Sequence, residues 1–206
     1  MSSAWAEENL AAIRTLMERA SLYRRALAPL FLLAGGFGVL AAMGGIVLHL
    51  DSATSFTLYW SAVGATVGAV SFLVVRQQAL KAGEPFWTPP ARRVFRALLP
   101  AFSAGIAASL CALEKPPHGL SHVWLPGMWM ILYGTAFHAA AFFLPRGCQW
   151  VAWGFACPGM VVMLLHGTSG PPPAWLLHAE MGLAFGGVHV AAGAFLTAQQ
   201  RRTNPG

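Results

Sequence analysis

The sequence predicts an all-α membrane protein with six transmembrane helices, and three observations lead to this prediction. The chain has 206 residues, of which 56% are hydrophobic and only 10% are charged, whereas about a quarter of the residues of a soluble domain are charged. Its apolar stretches have lengths near the ~20 residues that cross a hydrocarbon core of about 30 Å. All of its 13 Lys and Arg residues except Lys115 fall on one side of such a six-span arrangement. The positive-inside rule makes that side cytoplasmic.

The predicted spans are 27–48, 56–75, 94–113, 123–144, 148–165 and 175–197. Both termini and the basic connection near 76–93 then lie in the cytoplasm, as in a multi-pass protein of the bacterial inner membrane. The connections near 49–55, 114–122 and 166–174 lie outside. A net charge of +6 follows from this topology, so it does not indicate a nucleic-acid partner.

The chain before the first span is predicted to form an amphipathic helix. Residues 1–25 place Leu10, Ile13 and Met17 three and four positions apart, with charged residues between them, which is typical of a helix with one apolar face. Such a helix lies on the inner membrane surface, where it anchors the chain or binds a cytoplasmic partner. Residues 26–198 would form the transmembrane domain, and 199–206 a cytoplasmic tail.

The spans also suggest three helical hairpin repeats. The segment from Gly64 through Gly68 to Arg76 aligns with the segment from Gly134 through His138 to Arg146. This pattern indicates either a repeated structural unit or only an old duplication.

Small residues at helical spacing predict where the helices pack. Gly64 and Gly68 form a GxxxG pair, and Gly182, Gly186 and Gly193 lie on one face of the sixth span. Lipid offers no hydrophobic drive for helix association, so close backbone approach at small residues supplies the contact. Both faces are therefore expected to face protein. Tryptophans near the span ends, such as Trp60, Trp150 and Trp175, are expected to anchor the chain at the interface.

Histidines and carboxylates gather at the predicted outer ends of the spans and give a first candidate site. Imidazole and carboxylate groups at one depth are the ligands of a divalent metal ion such as zinc or copper. Their spacing matches no known metal motif, so interfacial side chains without a metal remain the alternative. The candidate metal ligands are His49, Asp51, His166, His178 and Glu180.

Two histidines inside the spans give a second candidate site. His138 and His189 lie among small residues, and two histidines on facing helices are the minimum for a haem b. The alternative is a structural role, with each ring bonded to a neighbouring hydroxyl or carbonyl group.

No catalytic arrangement emerges from the sequence. The chain has a single Asp, and it has no nucleophile elbow or phosphate-binding loop. Asp51 with His49 and His178 is the nearest approach to an intramembrane hydrolase. The three cysteines form no CxxC pair and suggest no disulfide framework.

Three short segments resemble a group of uncharacterised bacterial six-helix membrane proteins that are often encoded beside winged-helix transcriptional regulators. These segments are residues 13–23, residues 126–134, and Phe185-Gly-Gly-Val-His189 with Gly193. The resemblance implies the six-helix fold and a link to regulation, and it implies no activity. His138 is not part of that pattern.

Together these observations predict a non-enzymatic membrane module, either a sensor or an accessory subunit, that forms a homo-oligomer or part of a larger membrane complex. The alternative is a haem- or metal-binding redox or transport protein that uses the interior or the outer histidines.

Overall fold

A computed structural model describes residues 27–81, 83, 86–114, 120–141, 147–168 and 172–203. The described residues are helical, with short connections and no strand. Helix α1 spans Leu27–Val47, α2 spans Ala53–Lys81, and α3 spans Pro89–Leu113. After a 3-10 turn at His122–Trp124, α4 spans Leu125–Ala140 and α5 spans Cys148–Thr168. Helix α6 begins as Ala174–Met181, passes through a π-helical stretch at Gly182–Val188 and continues as His189–Thr203.

Within the described ranges, five helices are long and apolar enough to cross a membrane, namely α1, α2, α3, α5 and α6. This supports the prediction of a multi-pass membrane protein. Helix α4 has 16 residues, or about 24 Å at helical rise, and is shorter than a full span. The predicted fourth span, 123–144, runs beyond Ala141 into residues that lie outside the described part. The predicted amphipathic helix over residues 1–25 also lies outside it.

Local sequence explains how α1 ends and α2 begins. His49 has a φ of 49°, and the amide of Leu50 donates to the carbonyl of Gly45 at 3.1 Å. With the bond from the His49 amide to the Ile46 carbonyl, this is a Schellman C-cap. Ser52 then caps α2, because its hydroxyl accepts from the Ser55 amide at 3.1 Å.

Glycines bring α1 and α6 into close contact. A methyl group added at Gly38 would lie 2.7 Å from the carbonyl carbon of Phe185, and one at Gly186 would lie 2.9 Å from the amide nitrogen of Val39. A methyl group at Gly193 would meet the side chain of Leu32 at 2.7 Å. The glycine face of the sixth span therefore packs against protein, which confirms the prediction for this helix.

Glycines also bring α4 and α5 together. A methyl group added at Gly134 would lie 2.7 Å from the Ala152 carbonyl oxygen, and one at Gly159 would lie 2.9 Å from the Gly127 carbonyl oxygen. The predicted hairpins pair consecutive spans, namely α1 with α2, α3 with α4 and α5 with α6. The glycine contacts join different pairs, α1 with α6 and α4 with α5. The hairpin repeat stays a prediction.

Helices α2 and α3 lie at the periphery of the bundle. In each of these two helices, only 6% of the most apolar 18-residue stretch is buried inside the protein. No atom of another described element lies within 4 Å of a methyl group added at Gly64 or Gly68. The prediction that this GxxxG pair packs inside the bundle is therefore wrong, because α2 contacts the core mainly through Phe56, Thr57 and Trp60 near its start.

Candidate functional site

Helix α6 bears three polar side chains that point to different neighbours. His178, Glu180 and His189 each bond to another element, and His178 and His189 are almost fully buried, with exposures of 0% and 4%. A polar group in a membrane interior is costly unless it is bonded, so each of these bonds fixes α6 against one neighbour.

His189 bonds to α4 and to its own helix. Its Nδ1 lies 2.8 Å from the Phe185 carbonyl oxygen, which can only accept, so Nδ1 carries the proton. Its Nε2 therefore accepts the hydroxyl proton of Tyr133, also at 2.8 Å. The backbone amide of His189 donates to the Gly186 carbonyl. In a regular α-helix that amide would donate to Phe185, so the imidazole takes over a backbone bond where the π-helical stretch ends.

Aromatic rings enclose this Tyr133–His189 pair. The His189 ring centroid lies 5.6 Å from that of Phe31 and 5.1 Å from that of Phe155. Phe185 lies against both members of the pair, 5.4 Å from Tyr133 and 6.3 Å from His189. The pair is thus a neutral hydrogen bond in an apolar cage contributed by α1, α4, α5 and α6.

His138 lies elsewhere on α4. Its ring is exposed and packs against Trp153 at 5.8 Å, whereas the side of α4 that faces His189 carries Tyr133. Both ring nitrogens of His189 have protein partners, so ligation of a haem iron would require one of these bonds to break. The residues present do not fit a bis-histidine haem site, although the structural alternative fits His189.

His178 joins α6 to α2 and to the C-cap of α1. The Trp60 indole, which can only donate, bonds to His178 Nδ1 at 3.0 Å. Nε2 then carries the proton and donates to the Leu50 carbonyl at 3.3 Å. The ring lies so close to α1 that a methyl group at Gly45 would overlap it. Trp60 is only 4% exposed, so its predicted role as an interface anchor is wrong. Trp150 and Trp175, at 80% and 56%, are exposed as expected of anchors.

Glu180 joins α6 to α5. Its Oε1 lies 3.0 Å from Nε2 of His166, and the exposed fractions of the two side chains are 12% and 4%. His166 Nδ1 lies 2.8 Å from the carbonyl oxygen of Val123, before α4. The second carboxylate oxygen, Oε2, is buried and has no hydrogen-bond partner among the described residues. His178 and Glu180 therefore face different neighbours, as their two-residue separation predicted.

The five candidate metal ligands are thus divided. Glu180 and His166 bond to each other, while His178 bonds to Trp60 and Leu50. His49 serves as the exposed C-cap of α1, and Asp51 is exposed beside it. Within the described ranges, no three His, Cys, Asp or Glu side chains form a group that could hold a metal ion. The metal site stays a prediction that this arrangement does not favour.

Sequence reasoning identified the α6 side chains but missed most of their partners. Tyr133 lies within the segment 126–134, but it carries no charge that would single it out as a site residue. Trp60 has the position of an interface residue near a span end. A buried neutral imidazole requires one hydrogen-bond donor and one acceptor nearby. A search of the sequence for such partners could have pointed to Tyr133 and Trp60.

Comparison with known proteins returned no matching family model, no matching curated protein and no matching solved structure. The resemblance to six-helix proteins encoded beside transcriptional regulators stays a prediction.

Proposed function

We propose that this chain is a non-enzymatic sensor of the bacterial inner membrane, with both termini cytoplasmic and α6 as its transmitting helix. The observation that carries the proposal is the bonding of α6. Through His178, Glu180 and His189 it is bonded to α2, α5 and α4, and through its glycines it is packed against α1. A change at any of these contacts would therefore alter the position of the whole helix.

The position of α6 in the bundle supports transmission between the two membrane faces. One end, here called the histidine end, carries His49, His122, His166 and His178. The opposite end of α6 carries Arg201 and Arg202 in its last turn. We place the histidine end outside the cell by the positive-inside rule. The π-helical stretch lies between the two ends, and such stretches occur frequently at functional sites within α-helices.

Hydrogen exchange tests this proposal. Glu180→Ala removes the α5–α6 bond at the histidine end, and we expect faster amide exchange beyond the π-helical stretch, in residues 189–203. Thr168→Ala, which removes only an exposed hydroxyl bonded within α5, is the matched control and should leave those residues unchanged. A Glu180→Ala effect confined to residues 174–181 would rule out transmission along α6.

A second candidate function, an accessory subunit, is favoured by the open face of α2. Gly64 and Gly68 lie on an exposed helix, and small-xxx-small pairs allow close helix association in membranes. We expect Gly64→Leu with Gly68→Leu to lower the assembly mass in mild detergent. Gly36→Leu, at another open glycine, is the control. An unchanged mass would exclude this face as the contact.

A further inference from the structure

The hydrogen-bond partners of His166 and Glu180 determine how many protons this pair of side chains carries. The Val123 carbonyl oxygen can only accept, so the 2.8 Å contact places a proton on His166 Nδ1. Nε2 and Oε1, 3.0 Å apart, are both acceptors unless one of them carries a proton. One further proton therefore lies between them.

Two arrangements satisfy this count. Either His166 is an imidazolium and Glu180 a carboxylate, or His166 is a neutral imidazole and Glu180 a carboxylic acid. Both have the same total charge of zero. Charge attraction favours the first and burial favours the second, so the proton is shared within the pair and neither arrangement leaves a net charge in the bundle.

Loss of that proton has a mechanical consequence. A lone pair on Nε2 would then face a carboxylate across 3.0 Å, and no described residue bonds to the second oxygen, Oε2. Two acceptors repel each other and the carboxylate gains an uncompensated buried charge. The contact that holds the end of α5 against α6 would open.

We propose that His166 and Glu180 form a single-proton binding site that latches α5 to α6 at the histidine end, so that the stimulus read by the sensor is a proton. A proton fits a site of this kind because it needs no cavity, only two acceptors at bonding distance. The identity of the stimulus rests on the proposed function, whereas the proton site itself does not.

In the part of the chain that the structure describes, other titratable groups of the neighbouring elements have other partners or are exposed. His178 of α6 bonds to Trp60 and Leu50, and Tyr59 of α2 donates to the Ala41 carbonyl. His122, in the 3-10 turn, packs against Phe56. Among the described residues, the exposed acidic and histidine groups at this end are His49 and Asp51 after α1 and Glu114 after α3.

Glu180→Gln is the informative variant because it separates the bond from the proton. The Gln amide can donate to the neutral Nε2 of His166, so the latch stays closed, but it has no proton to lose. Glu114→Gln is the matched control, since Glu114 is an exposed carboxylate outside this contact.

The experiment uses the full chain in lipid nanodiscs, with pH stepped between about 5 and 10. Infrared difference spectra report the carboxyl group, and spin labels on Leu164 of α5 and Trp175 of α6 report the distance between the helices. We expect a carboxyl change that is lost in Glu180→Gln and kept in Glu114→Gln. The label distance should lengthen at alkaline pH in the wild type and stay constant in Glu180→Gln.

Three results would overturn the proposal: no change in the infrared bands of the Glu180 carboxyl group or the His166 ring over this pH range, the same Glu180 titration in His166→Gln, or a constant label distance. If a variant fails to fold, ¹³C-Glu,¹⁵N-His wild-type protein still allows solid-state NMR to detect the Glu180–His166 contact and its proton. If the proton site is found but Glu180→Ala has no effect on residues 189–203, the site stands and the sensor function fails.

Discussion

The Tyr133 hydroxyl donates to Nε2 of His189 at 2.8 Å, and this bond joins α4 to α6, the helix that also bonds to α2 and α5 and packs against α1. The Phe185 carbonyl, which can only accept, fixes the tautomer with the proton on Nδ1, so that Nε2 is left to accept from Tyr133. The His189 ring therefore links the packing of α4 to the backbone geometry where the π-helical stretch of α6 ends.

A double-mutant cycle measures this bond. Tyr133→Phe leaves Nε2 buried without a donor, and we expect a loss of about 1–3 kcal/mol in the free energy of unfolding. His189→Leu should cost at least as much, because it also frees the Phe185 carbonyl. The coupling energy between the two substitutions should be about 0.5–1.5 kcal/mol, measured by unfolding in mixed micelles.

Thr66→Val is the control for that cycle, because its hydroxyl bonds within exposed α2, and it should change stability by less than about 0.5 kcal/mol. Zero coupling between Tyr133 and His189 would contradict the assigned bond. So would a haem absorption band in the purified wild-type protein that disappears in His189→Ala.

His49 offers a stabilising substitution. Its φ of 49° is unfavourable for a residue with a Cβ, at a cost of about 1–2 kcal/mol, and glycine is the usual residue at this position of a Schellman cap. We expect His49→Gly to raise the free energy of unfolding by about 1 kcal/mol, whereas His49→Ala should bring no gain. A loss of stability in His49→Gly would mean that the imidazole has a binding role, as the metal hypothesis required.

The α1–α6 contact predicts opposite outcomes for two nearby glycines. Gly38→Ala forces a methyl group against the Phe185 backbone, and we expect a loss of about 1–3 kcal/mol. The methyl group of Gly36→Ala meets no atom of the described residues within 4 Å, and the variant should be neutral or slightly stabilising, since alanine favours the helix over glycine. Thermal unfolding of both variants decides this, and equal effects would contradict the described packing.

His122 predicts a pH dependence. Burial lowers the pKa of this histidine, so the unfolded chain binds the proton more readily than the folded one. The stability that depends on neutral His122 is complete above the ordinary pKa of about 6.5 and is lost as pH falls below it. His122→Gln should therefore reduce the loss of unfolding free energy between about pH 7.5 and 5. An unchanged loss over that interval would contradict burial of the ring.

Features that depend on neighbouring residues could be predicted from the sequence, whereas contacts between residues far apart in the chain could not. Apolar stretches predicted six spans, and five of them coincide with described helices that are long and apolar enough to cross a membrane, because span length and hydropathy are local properties. The glycine face of α6 was predicted for the same reason. Gly64 and Gly68 have the same local pattern yet face open space, since a GxxxG pair does not specify which surface meets it.

The candidate site required long-range information. His178 and Trp60 are 118 positions apart, and His189 and Tyr133 are 56 apart. The sequence placed His189 inside a span and His178 at an outer end, but only the fold shows that their nitrogens bond to a phenol and an indole. The π-helical stretch was also unpredicted, because Gly182–Val188 reads as ordinary helix and the His189 ring supplies the missing backbone partner.

The sensor proposal requires the histidine end to face outward, and cysteine labelling in intact cells tests this most directly. With Cys111, Cys148 and Cys157 replaced by alanine, single cysteines are introduced at Ser121, which is exposed before the 3-10 turn, and at Lys81, which is exposed at the end of α2. We expect an impermeant thiol reagent to label Ser121→Cys in intact cells and Lys81→Cys only after the membrane is opened. Labelling of Lys81→Cys, but not Ser121→Cys, in intact cells would invert the topology and contradict a sensor that reads protons outside the cell.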